Sequence, residues 1–337
     1  MGSRSELQVG FYSDKCPFAE ATVEAAVVDA AVVNPRVAPI LLRLHFHDCF
    51  VEGCDGSILI TTGVQDAEIS ASAHQGVMGF DVIAKAKAAI EAQCPGVVSC
   101  ADIVAIAARD AVALAGGPTY EVETGRRDGR LSSANMAWRM PQFHDSVHTL
   151  RLKFFEKGLT EADLVLLSGG AHTIGTTACF FVRDRLYAFM GTNTSDPTIS
   201  PALLPSLERQ CPKDGSPMDR LLLDQVTGER FDVQSLINIK NGLSVLPSDS
   251  ILYDNNITKS VVDFYSVDKS SFAEDFAVAM IKMGRIDVNT GTEGEIRQVC
   301  ETVNPSQICP PFTSTGSRLI SDHLLLALLF LVLFCFY

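Results

Sequence analysis

Arg43 and His47 lie four residues apart in the run Arg-Leu-His-Phe-His-Asp-Cys-Phe-Val-Glu-Gly-Cys-Asp-Gly-Ser (43–57), a fixed cation beside a base. On a helix the two share one face, with Phe46 and Phe50 beside them. A guanidinium stays charged, so a second positive charge next to it is disfavoured and the imidazole pKa falls. His47 is then expected to be neutral near neutral pH and usable as a general base. The same run carries a close Cys pair and the hard-cation donors Asp48, Asp55 and Ser57. Two other readings are open on these residues alone. One is a surface helix with incidental His and Arg. The other is a metal hydrolase, because Leu42, Leu44 and Phe46 alternate with Arg43, His45 and His47, and a strand here would present His-x-His to a metal.

The elements that must position these groups read as helices. Pro17 opens an amphipathic run from Phe18 to Val33, and Pro39 suits the first turn of the helix carrying Arg43 and His47. Met78 to Ala92 is periodic. Ser99-Cys100-Ala101-Asp102 reads as a capping box for a helix ending at Gly116-Gly117, and Thr160-Glu161-Ala162-Asp163 as a second one. Ser271 to Met283 is a last long helix. Long strands are absent from the pattern, which counts against a barrel hydrolase.

The 337 residues allow one large or two ordinary domains, and 47% hydrophobic with 20% charged residues indicates a globular protein. A net charge of −13 argues against nucleic acid or anionic membranes as partners. Ten cysteines point to an oxidising compartment, and their spacing leaves the pairing open.

The 43–57 run resembles the distal haem motif of the secreted plant peroxidases (class III), R-L-H-F-H-D-C-F-V-x-G-C-D-x-S, and the likeness continues through most of residues 7–302. Leu167-Ser168-Gly169-Gly170-Ala171-His172-Thr173-Ile174-Gly175 resembles the proximal motif of that family. The resemblance implies a mostly α fold, with haem between a distal and a proximal helical lobe. It implies reduction of hydrogen peroxide to water and one-electron oxidation of phenolic donors, with one haem b and two Ca2+ as cofactors. His47 would move the proton, and Arg43 would stabilise the charge that develops as the O–O bond breaks. His172 would be the axial haem ligand, and Asp249 would accept from its other ring nitrogen. Read alone, His172 is a core histidine and Asp249 a turn or cap residue. Asp48, Val51, Gly53, Asp55 and Ser57 would hold one Ca2+; Thr173, Asp224, Thr227, Arg230 and Asp232 would hold the other. Pro141 would line the substrate channel at the haem edge. Leu223 stands where the intracellular ascorbate- and cytochrome-oxidising relatives carry Trp. The implied disulfides are Cys16–Cys94, Cys49–Cys54, Cys100–Cys300 and Cys179–Cys211, leaving Cys309 and Cys335 unassigned.

Two departures matter. The usual proximal pattern is L-S-G-A-H-T or L-S-G-G-H-T, so this chain has one extra residue between Ser168 and His172, to be absorbed by a bulge or a shifted turn. The family's Glu is matched by Glu68, but the Asn expected six residues later is His74. An imidazole can accept the bond from the distal base, yet it titrates, so greater acid sensitivity is expected.

The expected organisation is a short polar N-terminus (1–6), a peroxidase domain (7–304), a spacer (305–323) and an apolar tail (324–337). Residues 1–6 show no apolar leader, and Glu6 breaks the myristoylation pattern; a leader lost from this sequence is expected rather than a cytosolic enzyme. The tail resembles a lipid-anchor signal; a cleaved vacuolar sorting extension, a weak tail anchor and an artefact of the gene model are the other readings. Asn193 and Asn256 begin glycosylation sequons. The expected protein is a secreted monomer of the cell wall, with the vacuole or a lipid anchor at the plasma membrane as alternatives. A haem- or calcium-binding wall protein without turnover is the rival function.

Overall fold

The computed structural model describes residues 7–305. Readings that fall on residues 1–6 and 306–337, including the tail, Cys309 and Cys335, lie outside the described residues. Among the described residues the helices are α1 (Ala19–Val33), α2 (Val37–Cys49), α3 (Phe80–Glu91), α4 (Cys100–Leu114), α5 (Val147–Glu156), α6 (Glu161–Val165), α7 (Arg183–Tyr187), α8 (Leu204–Gln210), α9 (Gln234–Lys240), α10 (Pro247–Ser250), α11 (Asn256–Tyr265) and α12 (Lys269–Met283). Four strands of two or three residues complete the regular structure: β1 (Gln8–Val9), β2 (Glu123–Thr124), β3 (Thr176–Ala178) and β4 (Arg220–Leu222). They form two antiparallel ladders, β1 with β2 and β3 with β4, the second in the register Thr176↔Leu222 and Ala178↔Arg220. The fold is mostly α.

Helix α2 is the centre of the first half. Pro39, at its third position, costs no helical hydrogen bond there. Val37, Ala38, Leu41, Leu42 and Leu44 are buried, and so are His45, His47 and Asp48. A helix buried on most of its circumference is a core element. Its main neighbour is α4, whose buried Ala101, Ala105, Ala107 and Ala108 give close approach. Phe46 and Phe50 stack at 4.2 Å between ring centroids, and Phe154 of α5 packs on Phe50 at 4.8 Å.

One large apolar core runs from Tyr12 to Cys300, and a smaller one gathers Val182, Leu186, Leu207, Leu221 and Val245 around Cys179 and Cys211. Disulfides join Cys16 to Cys94, Cys49 to Cys54, Cys100 to Cys300 and Cys179 to Cys211. Each bridge that closes a long loop removes about 3–4 kcal/mol of chain entropy from the unfolded state.

The two capping signals differ in outcome. At α6 the box is complete: the Thr160 hydroxyl accepts from Asp163 N–H, and the Asp163 carboxylate accepts from Thr160 N–H. At α4 only half of it forms. Ser99 accepts from Asp102 N–H, but the Asp102 carboxylate does not return the bond. It accepts instead from Tyr12 Oη (2.6 Å), Gly125 N–H (2.7 Å) and Arg126 Nη1 (2.7 Å). A fully buried carboxylate binds the strongest donors within reach, and a cation outcompetes an amide.

Candidate active site

The distal groups come from α2 and from two short 3-10 turns. Arg43 and His47 lie one α-helical turn apart on α2, so the strand reading, and with it the metal hydrolase, does not hold. His45 and His47 point away from each other. His45 approaches Cys49 (3.5 Å), and the sulfurs of Cys49 and Cys54, which would complete a metal site with it, are tied in a disulfide. Nδ1 of His47 lies 2.9 Å from Nδ1 of His74, which sits in the turn Ser72–His74. Nε2 of His74 is 3.5 Å from Oε1 of Glu68, in the turn Glu68–Ser70, and the other Glu68 oxygen accepts from Ser57 Oγ at 3.1 Å. Neither Nε2 of His74 nor Oε1 of Glu68 has a hydrogen-bond partner, so a close approach joins the His47–His74 pair to the Glu68–Ser57 pair beside the oxygen-donor segment. The link through Ser57 was not read from the sequence, because nothing in residue spacing ties a loop serine to a glutamate on the next turn.

Burial and charge act together here. His47 is held well below the usual imidazole range, first by burial, then by the Arg43 charge and by His74. The expectation of a neutral base stands, but its leading cause is burial, with the guanidinium second. His74 is brought down to about 4, by burial and then by Arg43. Glu68 is pushed up to about 9, by burial first and then by Asp48.

Asp48 is fully buried, and Asp55 and Ser57 nearly so or wholly so. One Asp48 oxygen accepts from Gly56 N–H; the other has no hydrogen-bond partner. Burial and then the neighbouring Asp55 raise the Asp48 carboxyl well above its ordinary range. Buried carboxylates crowded together with an orphaned oxygen fit a hard divalent cation. Two of the five donors are backbone oxygens with other engagements: Val51 O accepts from Lys157 Nζ (3.2 Å) and Arg139 Nη1 (3.4 Å), and Gly53 O from Asp55 N–H (2.8 Å).

The proximal groups sit on irregular backbone. After α6 the chain makes one π-helical turn, Leu166–Gly170, and then a 3-10 turn, Ala171–Thr173. A π turn holds one more residue than an α turn, so the extra residue before His172 is absorbed there. Gly169 and Gly170 make this possible: a Cβ at Gly169 would lie 2.6 Å from Ile239 Cδ1, and one at Gly170 would lie 3.0 Å from Phe272. Nδ1 of His172 lies 2.9 Å from Asp249, which is buried on α10, while the His172 side chain is 31% exposed. The carboxylate at Nδ1 leaves Nε2 without that partner, and such a nitrogen donor fits haem iron.

Directly after His172, Thr173, Thr227 and Asp232 converge. Thr227 Oγ1 donates to Asp224 (3.0 Å) or Asp232 (3.1 Å), and Thr173 Oγ1 lies 3.4 Å from both Arg230 O and Asp232. All five residues named for this second cation thus share one neighbourhood. Asp224 is also held by Asn238 Nδ2 at 2.8 Å. Pro141 is half-buried in the loop after the turn Ala134–Arg139, next to buried Met140. Asn193 and Asn256 are exposed, although Thr258 of the second sequon is buried and bonded to Leu252 O.

Residues 20–268 match the family described as peroxidase. This chain belongs to that family. Its curated relatives include Peroxidase 43 of Arabidopsis thaliana, 53% identical over 90% of this chain and 94% of the relative. Peroxidase 13 of the same plant is 54% identical over the same shares. Peroxidase N1 of Nicotiana tabacum is 48% identical over 88% of this chain and 90% of the relative. The protein is a plant peroxidase of the secreted class, an oxidoreductase that reduces hydrogen peroxide and oxidises phenolic donors. The family's cofactors are haem and calcium, and the donor sets described above fit both. Four disulfides accord with a secreted enzyme, and no helix among the described residues is long and apolar enough to cross a membrane.

Proposed function

We propose that this peroxidase works with His47 as its proton carrier, Arg43 as its charge stabiliser and His172 as its haem ligand, with one haem b and two Ca2+. The observation that carries this reading is the buried chain from His47 through His74 to Glu68. Haem bound at His172 supplies the oxidising chemistry, two electrons taken by peroxide and returned singly by phenolic donors. With Glu68 ionised, His74 carries its proton on Nε2, and its Nδ1 accepts from Nδ1–H of His47. That tautomer leaves Nε2 of His47 as a free base. It takes the proton from one peroxide oxygen and delivers it to the leaving oxygen, while the Arg43 guanidinium faces the charge that develops between them. His74 is therefore a positioning residue, doing with an imidazole what the family's Asn does with an amide.

Cations at the two donor clusters serve different ends. One held by Asp48, Asp55 and Ser57 would neutralise the Asp48 charge that adds to burial in raising Glu68, and so favour the ionised Glu68 that His74 needs. One at Thr173, Asp224, Thr227, Arg230 and Asp232 fixes the backbone beside His172. Pro141 borders the donor channel, Asn193 and Asn256 carry glycans, and the enzyme acts as a monomer in the cell wall. A vacuolar destination and a lipid tether through residues 324–337 are the competing fates of the tail.

The test is the absorption spectrum of the protein folded with haem and Ca2+, before and after one equivalent of hydrogen peroxide. A ferric Soret band that loses intensity within seconds and recovers on adding guaiacol is expected. Haem binding without that response would point to a wall protein lacking turnover; failure to bind haem would remove the role given to His172.

A further inference from the structure

Among the described residues three tyrosines donate the phenol O–H to a carboxylate: Tyr12 to Asp102, Tyr253 to Asp263 and Tyr265 to Asp275. Tyr12 and Tyr265 are buried, and Tyr253 is half-buried, so of the three only Tyr253 is open to a large partner. Its surroundings are tightly defined. Tyr253 Oη lies 2.9 Å from Asp263 Oδ1 and 2.9 Å from Lys259 Nζ, which also stands 4.1 Å over the phenol ring. Lys240 and Lys259 donate to Asp263 at 2.8 and 2.7 Å. The phenol oxygen thus sits between a proton acceptor and a cation.

The inner side of Tyr253 leads to His172. Helix α10 continues without a gap into a 3-10 turn, Ile251–Tyr253, so Asp249 and Tyr253 are four residues apart on one helical run. Asp249 holds Nδ1 of His172 at 2.9 Å. Leu252, between them, is wholly buried: a Cβ at Gly169 would lie 3.1 Å from its Cδ1, and its carbonyl accepts from Thr258 on α11 at 2.6 Å. The same helix carries Lys259 and Asp263, so α11 fixes both the run and the groups around the phenol. Lys240 and Lys259 hold the Asp263 carboxyl well below the usual carboxylate range. A phenol that has lost an electron is a far stronger acid than any carboxylic acid, so Asp263 still takes its proton.

We propose that Tyr253 is a second oxidation site, where phenolic polymers too large for the donor channel give up their electrons. One electron leaves the Tyr253 ring along Asp249 and His172 toward the haem, whose oxidant is hydrogen peroxide. The phenol O–H bond breaks and its proton forms an O–H bond on Asp263. The neutral ring keeps its bond from Lys259 and stays seated. A phenol group of the polymer then returns one electron and one proton to Tyr253 and is left as a radical, while Asp263 releases its proton to water. The proposal rests on the peroxidase reading above, whose own failure is seen separately, as absence of guaiacol oxidation by the unmodified holoenzyme.

The experiment compares Tyr253→Phe and Asp263→Asn with the unmodified holoenzyme. One readout is the tyrosyl radical seen by electron paramagnetic resonance in samples frozen after one equivalent of hydrogen peroxide, with no donor present. The other is the rate of oxidation of a size-fractionated dehydrogenation polymer of coniferyl alcohol, relative to that of guaiacol. Tyr253→Phe keeps the ring and removes the O–H. It should abolish the radical signal and lower the polymer-to-guaiacol ratio about tenfold. Asp263→Asn still accepts the hydrogen bond but takes no proton, and should lower both readouts by a smaller factor. A radical signal that persists in Tyr253→Phe overturns the proposal, as does an unchanged rate ratio. Asp263→Asn at the unmodified level removes the part given to Asp263. Equal losses of polymer and guaiacol oxidation, with a shifted Soret band, also overturn the site, since they show that Tyr253 only braces Asp249.

Discussion

The distal and proximal halves of the site are built in opposite ways. The distal half is regular in backbone and unusual in chemistry. Helix α2 runs unbroken from Val37 to Cys49, yet it buries two imidazoles and a carboxylate along its length and half-buries a guanidinium. The proximal half is unusual in backbone and plain in chemistry. One imidazole and one carboxylate are held by a π turn, a 3-10 turn and the four-residue helix α10. The contrast has a physical origin. Tuning a base requires desolvation and nearby charge, which any well-packed helix can supply. Placing a ligand nitrogen requires one direction in space, and a chain with an extra residue reaches it only by changing its local helix type.

The largest expected effect separates the halves by function. His47→Leu should lower the rate constant for reaction with peroxide by about 100- to 10,000-fold while the haem absorption persists. His172→Leu should instead cost haem retention. Stopped-flow mixing and the Soret band read the two outcomes, and a His47→Leu protein that reacts at the original rate would end the division of labour.

The next effect probes the backbone of the proximal half. Gly169→Val places side-chain atoms where Ile239 and Leu252 already pack. A loss of about 1–3 kcal/mol is expected, from overpacking alone, and the midpoint of urea unfolding would show it. An unchanged midpoint would mean that the π turn is free to relax, and that the proximal half is less constrained than its packing implies.

The smallest effect is on pH. His74 sits at about 4, below the ordinary value near 6.5, so between those values the folded protein binds fewer protons than the unfolded chain. Stability from this group is complete above about 6.5 and is lost as pH falls through about 4, a total of about 3 kcal/mol. Protonated Nδ1 of His74 can no longer accept from His47, so the peroxide step should fall as pH drops through about 4. His74→Asn, which accepts without titrating, should flatten both slopes. If the acid limb of the rate profile stays in place, the distal half owes its acid sensitivity to another group.

Much of the distal half was legible in the sequence. The i, i+4 spacing of Arg43 and His47 is a local property of a helix, and the resemblance covering 43–57 carried the roles. The cause of the low His47 pKa was only partly legible, because its largest part is burial, which depends on α4 and on the turns carrying Glu68 and His74. The extra residue before His172 was visible, while the form of its absorption was not. The sequence states the extra residue and not its backbone form, and the π turn seats Gly169 and Gly170 against Ile239, Leu252 and Phe272, residues far along the chain. Asp102 shows the same limit in reverse. Its spacing from Ser99 promised a capping box, and Arg126, 24 residues away, took the carboxylate.

The amino-acid sequence determined what depends on neighbours along the chain: the helix of Arg43 and His47, the complete box of Thr160 and Asp163, and the single residue that makes the proximal segment too long. Tertiary structure alone decided what depends on distant segments. It brought His74 to His47 and Ser57 to Glu68, and gave Asp249 to His172. Side-chain identity states which charges exist. Only the fold states which of them share a low-dielectric space, and in that space distance and burial set their strength.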